Sequence, residues 1–138
     1  MKKKNMWLCA SIIWCIAIFA ATASPSSTGG NTQAILQALL GLTDEQASLF
    51  NFLFRKGVHL GAFGLLALLF FYSFEQYRYV LSWTLTTMYA ASDEIHQAFV
   101  PSRTASIMDV GLDSLGALLV LCTIWIVHKK GGKKYEKT

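Results

Sequence analysis

The sequence predicts an all-α, polytopic membrane protein built as a four-helix transmembrane bundle, or as three helices if the first segment is a cleaved signal peptide. Three observations lead there. Of 138 residues, 54% are hydrophobic and 14% charged, against about 45–50% and about 25% in soluble domains. Mean hydropathy is +0.42, which excludes a disordered or collagen-like chain. Apolar runs of spanning length recur, and Lys and Arg gather at alternate ends of those runs.

The first element, residues 1–23, is an N-terminal transmembrane anchor or signal segment. No Asp, Glu, Lys or Arg occurs between Lys4 and Asp44, and Met6 to Ala23 is almost wholly apolar. Lys2 to Lys4 and Ala21-Thr22-Ala23 also satisfy the ends of a signal peptide, and an uncleaved anchor is the favoured reading. Residues 24–42 follow as a flexible outer linker, rich in Ser, Thr, Gly and Asn up to Gln33. Residues 43–128 form the helical membrane domain. Thr43 and Gln46 have capping-box spacing, so a helix starts there and runs into a second span, Gly57 to Phe74. Glu75 to Arg78 make a short inner hairpin. Tyr79 to Ser92 holds only 14 uncharged residues and reaches spanning length only by including Asp93, Glu94 and His96. The last span is Val110 to Val127, 18 residues long like the second, close to the ~20 needed to cross about 30 Å of hydrocarbon. Residues 129–138 are a basic cytoplasmic tail.

Orientation follows from the Lys and Arg count, because these residues are retained on the cytoplasmic side. With both termini inside, four spans place nine of the twelve Lys and Arg inside and three outside. The basic balance therefore reports topology and implies no nucleic-acid partner. Cys9, Cys15 and Cys122 fall within spans, where they act as small apolar residues.

Candidate chemistry gathers at the outer ends of the last three spans. Arg55, Lys56 and His59 share one helix face at the start of the second span. Asp93, His96 and Gln97 share a face on the third, with Glu94 beside them, and Asp109 and Asp113 align on the fourth. Arg103 lies in the connecting loop, where its planar fork suits a phosphate or carboxylate. A charge near the bilayer centre costs about 2.5–3.5 kcal/mol on insertion scales, so these groups are expected to meet in a polar nest. Asp93 and Glu94 also approach the negative end of their own helix dipole, and pairing with Arg55 and Lys56 would relieve that. Each residue has a plainer reading as well. Arg55 and Lys56 suit headgroup anchoring, His59 a bond to a backbone carbonyl, Asp109 a cap with Ser106, and Gly57, Gly61 and Gly64 close helix packing.

The run Ser92-Asp93-Glu94-Ile95-His96-Gln97-Ala98-Phe99-Val100-Pro101-Ser102-Arg103, followed by Asp109 and Gly116, resembles the signature of the VanZ-like family of small bacterial membrane proteins. Arg55-Lys56 with His59 three residues on resembles that family's upstream motif, and the similarity covers about Phe54 to Val127. Ser102 stands where the family often has Gly, Asp113 where it often has Asn, and Phe63 where a Tyr is common. The resemblance implies a multi-pass protein of the bacterial cell membrane, in a family whose namesake is linked to resistance to teicoplanin, a lipid-bearing glycopeptide.

Three functional classes fit. The first lowers susceptibility to a lipoglycopeptide by engaging it, a cell-wall lipid precursor or a membrane lipid at the outer leaflet, with Arg55, Lys56, His59, Gln97, Arg103, Asp109 and Asp113 as ligand-binding candidates. The second is an intramembrane acid–base enzyme acting on an envelope lipid or precursor, with Glu94, His96 and Asp93 as catalytic candidates. The third is a structural scaffold. No cofactor is implied. His59, His96 and the carboxylates are metal-binding types, but no zinc spacing such as H-E-x-x-H requires a metal. Oligomeric state is left open by the sequence.

Overall fold

The computed structural model describes residues 3–24, 29–100 and 105–135, with side chains as far as residue 130. These residues form α1 (Lys3–Ala23), α2 (Gly29–Leu40), α3 (Asp44–Ser73), α4 (Arg78–Gln97) and α5 (Ile107–Tyr135), and no strand occurs among them. The chain is thus all-helical, as its sequence predicts.

Local chemistry explains the boundaries. The Thr43 hydroxyl accepts from the Gln46 backbone N–H and the Gln46 side chain accepts from the Thr43 N–H, which completes the expected capping box at the head of α3. Asp44 and Glu45 in the first turn suit the positive end of the helix. Between α3 and α4 the chain reverses through Tyr77, held at φ 50 in the left-handed region.

The 24–42 segment departs from a flexible linker, because α2 occupies most of it and order returns well before Thr43. Ala34, Ile35, Leu36 and Ala38 to Leu40 give it helix-forming residues. Side chains then tie it to α3. Gln33 and Gln37 both donate to Asp44 Oδ1, at 2.8 and 2.9 Å, and Asn51 donates to the Gly29 carbonyl at 2.7 Å. Residues 25–28 lie outside the described part.

Cross-helix contacts fix the directions. Lys56 meets Asp109 and Phe71 meets His128, so α3 and α5 run parallel. Trp7 stacks on Tyr72 and the Trp14 indole donates to the Ala62 carbonyl, so α1 runs against α3. Tyr89 donates to the Cys15 carbonyl and Phe19 stacks on His96, so α4 runs with α1. The four long helices therefore alternate in direction, with α3 touching every other helix.

The bundle is apolar outside and polar within. Among the described residues ten polar or charged ones are buried against nine apolar ones, while Ile12, Ile13, Ile16, Leu49, Phe52, Leu53, Leu119 and Ile126 all face outward. That inversion suits a hydrocarbon solvent and would aggregate in water. Lys3–Ala23, Asp44–Ser73 and Ile107–Lys130 are long and apolar enough to cross a membrane, with mean hydropathies of 2.1, 1.5 and 2.1. At 20 residues α4 has the length, about 30 Å, but its buried Ser82, Thr86, Asp93, Glu94 and Gln97 lower its apolarity.

α3 and α5 approach closely. A Cβ added at Gly116 would strike the Leu60 carbonyl, and one at Gly64 would meet Val120 Cγ2 at 2.9 Å and the Gly116 carbonyl oxygen at 3.2 Å. Gly57 and Gly61, expected to share this packing role, face open space instead. Gly116→Val should therefore destabilise the bundle by at least about 1–3 kcal/mol. Gly57→Ala should not lower its melting temperature in detergent, since nothing lies within 4 Å of the new methyl and alanine is the better helix former.

Candidate functional site

The C-terminal ends of α1 and α4 and the N-terminal halves of α3 and α5 meet at one end of the bundle. The sequence-derived polar residues that the structure describes lie at this end, most of them in three groups.

The first group joins α1 to α4. Asp93 is 2% exposed and both of its oxygens are engaged. Oδ1 accepts from the Thr22 hydroxyl and Oδ2 from Gln97 Nε2, each at 2.7 Å. His96 stacks on Phe19 with ring centroids 4.0 Å apart, and its Nδ1 is buried without a hydrogen-bond partner.

The second group joins α3 to α5. Lys56 Nζ pairs with Asp109 Oδ1, and His59 Nδ1 lies 3.4 Å from Asp113 Oδ2. Asp113 is 1% exposed, and its second oxygen has no partner. Pairing between Arg55 or Lys56 and the acids of α4 does not occur among the described residues; the register set by Gly116 brings Asp109 and Asp113 to α3 first. Lys56 also escapes the helix dipole, because α3 begins well upstream at Asp44.

The third contact joins α4 to the start of α5. Glu94 Oε2 accepts the Ser106 backbone N–H at 2.9 Å. In the expected capping box that N–H would go to Asp109. Instead Glu94 takes it from a neighbouring helix, and Asp109 is released to bind Lys56. Asp109 still sits in the first turn of α5, where the dipole favours an anion.

A polar pocket of about 330 Å³ opens between α2, α3, α5 and the end of α4, and Arg55, Lys56, His59, Gln97 and Asp109 line it. Asp113 and Glu94 lie behind His59: one ligand atom from each of the three falls within 4.8 Å of the others. Asp93 and His96 face α1, outside that lining. Arg103, with Pro101 and Ser102, lies outside the described residues. Beside the polar pocket a second cavity of about 460 Å³ runs between α1 and α3, lined by Trp14, Ala17, Ile18, Phe54, Val58 and Phe63. Arg55 and His59 border both cavities.

Sequence reasoning missed Thr22, Asn51 and Gln33. Thr22 carried a weak signal, since Ser11, Ile18 and Thr22 fall on one stripe of an otherwise uniform apolar helix. Asn51 is a lone amide among Leu49, Phe50, Phe52 and Leu53.

Thr22→Val should leave the buried Asp93 carboxylate short of a donor and cost about 1–3 kcal/mol. Thr22→Ser should retain most of the stability. Thermal melting of the purified chain in detergent checks both.

A family model described as VanZ/LLP1 matches residues 7–128. Comparison with curated proteins and with solved structures finds no match in either. The match begins inside α1 and ends inside α5, so it takes in all four long helices and every described residue of the polar end. The chain therefore belongs to the VanZ/LLP1 family.

Proposed function

We propose that this VanZ/LLP1 protein binds a lipid-bearing anionic molecule at the outer leaflet of a bacterial cell membrane, and thereby lowers susceptibility to teicoplanin-type lipoglycopeptides. The carrying observation is that Arg55 and His59 border both a polar pocket and an apolar cavity. An amphiphile has the matching division. Its anionic part meets the Arg55 and Lys56 cations, while its acyl chain lies against Ile18, Phe54, Val58 and Phe63. Arg55 forms no ion pair among the described residues and is free to take an external anion.

Four spans, with both termini cytoplasmic, are part of this reading. α4 runs antiparallel to α3 and α5 with its polar face inward, so helices α1, α3, α4 and α5 cross in alternation. The far end carries Lys4, Arg78, Lys129 and Lys130, and the positive-inside bias assigns that end to the cytoplasm. Retention of α1 belongs to the same reading. Cleavage after Ala23 would remove the Thr22 hydroxyl from Asp93 and Ile18 from the core.

Two measurements test the proposal. Purified protein in nanodiscs should bind teicoplanin more tightly than its deacylated core. Val58→Trp, which fills the apolar cavity, should erase that preference, and Arg55→Gln should weaken binding of both at least about fivefold. In a deletion strain complemented at equal protein levels, both substitutions should raise teicoplanin susceptibility. Unchanged susceptibility to every envelope-active compound, or equal binding of acylated and deacylated forms by the unaltered protein, would overturn the reading.

A further inference from the structure

We propose that His59, Glu94 and Asp113 form a binding site for a divalent first-row metal ion, with zinc the best fit. The three side chains come from α3, α4 and α5, and each offers one ligand atom within 4.8 Å of the other two. The His59 Nδ1 to Asp113 Oδ2 separation is 3.4 Å. Metal–ligand bonds of about 2.1 Å in tetrahedral geometry place two ligands about 3.4 Å apart, so this pair already spans one edge. Glu94, on a longer side chain, brings its ligand atom within 4.8 Å of both and closes the third corner by side-chain rotation.

A second observation points to a ligand. Asp113 is 99% buried by its 1% exposure, yet its Oδ1 has no hydrogen-bond partner. A buried carboxylate oxygen without a donor is costly, and a cation satisfies it directly. Charge bookkeeping agrees. Glu94 and Asp113 supply two negative charges and a neutral imidazole supplies none, which balances a divalent ion. Among the surrounding charged groups, Lys56 and Asp109 are engaged with each other, and Asp93 is held by Thr22 and Gln97.

The site also has the support that metal ligands need. The Ser106 N–H fixes one oxygen of Glu94, leaving the other to turn inward. One nitrogen and two carboxylate oxygens suit zinc or manganese better than copper(I), which prefers sulfur. Three protein ligands leave at least one coordination position, on the side where His59 borders the polar pocket. An oxygen of an anionic molecule in that pocket would complete the shell. Metal binding itself does not depend on the proposed ligand and is tested without it.

The test uses the full chain in nanodiscs, stripped with chelator, in a background carrying Cys9→Ser, Cys15→Ser and Cys122→Ser so that thiols cannot bind zinc. Titration with zinc, and separately with manganese, should give one equivalent per chain by elemental analysis and a higher melting temperature. His59→Ala, Glu94→Gln and Asp113→Asn should each lower zinc affinity more than about tenfold, whereas Glu75→Gln at the opposite end should not change it. A variant-independent readout is cobalt(II), whose visible absorption should show a nitrogen and oxygen ligand set in tetrahedral or five-coordinate form. Absence of stoichiometric binding by the folded protein, zinc affinity unchanged in Asp113→Asn, or a cobalt spectrum of a fully hydrated octahedral ion would each overturn the site.

Discussion

Contact between the Gly116 backbone and the Leu60 carbonyl governs the polar end of this protein. With no side chain at Gly116, α5 settles directly onto α3, and Gly64 permits the same approach one level further along. In lipid, helices gain little from hydrophobic exclusion and associate through packing and hydrogen bonds instead. The closeness of this pair therefore does more than hold the bundle together. It sets a register in which Lys56 faces Asp109 and His59 faces Asp113. A displacement of one helical turn would keep at most one of these two pairs, as Lys56 with Asp113 or His59 with Asp109, and leave the other two groups without their partners.

The remaining acids are accommodated by different means, each matched to position. Asp93 and Glu94 occupy the last turn of α4, where the helix dipole opposes them. Asp93 is satisfied by neutral donors, the Thr22 hydroxyl and the Gln97 amide. Glu94 binds a backbone N–H at the head of α5, so an anion disfavoured by one helix end is stabilised beside the positive end of another. This exchange explains why the Ser106 and Asp109 spacing does not become a self-contained cap. Two local rules compete, and Glu94 of the neighbouring helix takes the Ser106 donor.

α2 completes the arrangement by closing one side of the polar pocket. Its Gly29 carbonyl and Gln33 and Gln37 side chains are bound to α3, which keeps the pocket wall in place beside Arg55. A Cβ at Gly29 would crowd the Arg55 guanidinium at 2.7 Å, so the start of α2 and the cation are closely fitted. The apolar cavity next to it depends on α1, whose Trp14 is anchored to the Ala62 carbonyl. Two neighbouring cavities of opposite character thus arise from different sets of helices and, among the described residues, share Arg55 and His59 at their border.

Much of this architecture was legible in the order of residues alone. The apolar runs, the capping box at Thr43, the short reversal before α4 and the gathering of Arg55, Lys56, His59, Asp93, Glu94, Asp109 and Asp113 at one end all follow from composition, helical period and charge, which are local properties. The helix at Gly29–Leu40 was hidden because its first residues have loop chemistry and its ties to Asp44 and Asn51 are tertiary. Pairing was hidden too. Which cation meets which carboxylate depends on the rotation and depth at which helices pack, and that was decided by Gly116 and Gly64, while Gly57 and Gly61 in the same glycine-rich stretch face open space. Sequence determined the long apolar helices and where their charges lie along the axis, because both are set within a single helix. Only the tertiary structure decided partners and cavities, because those require distances between helices.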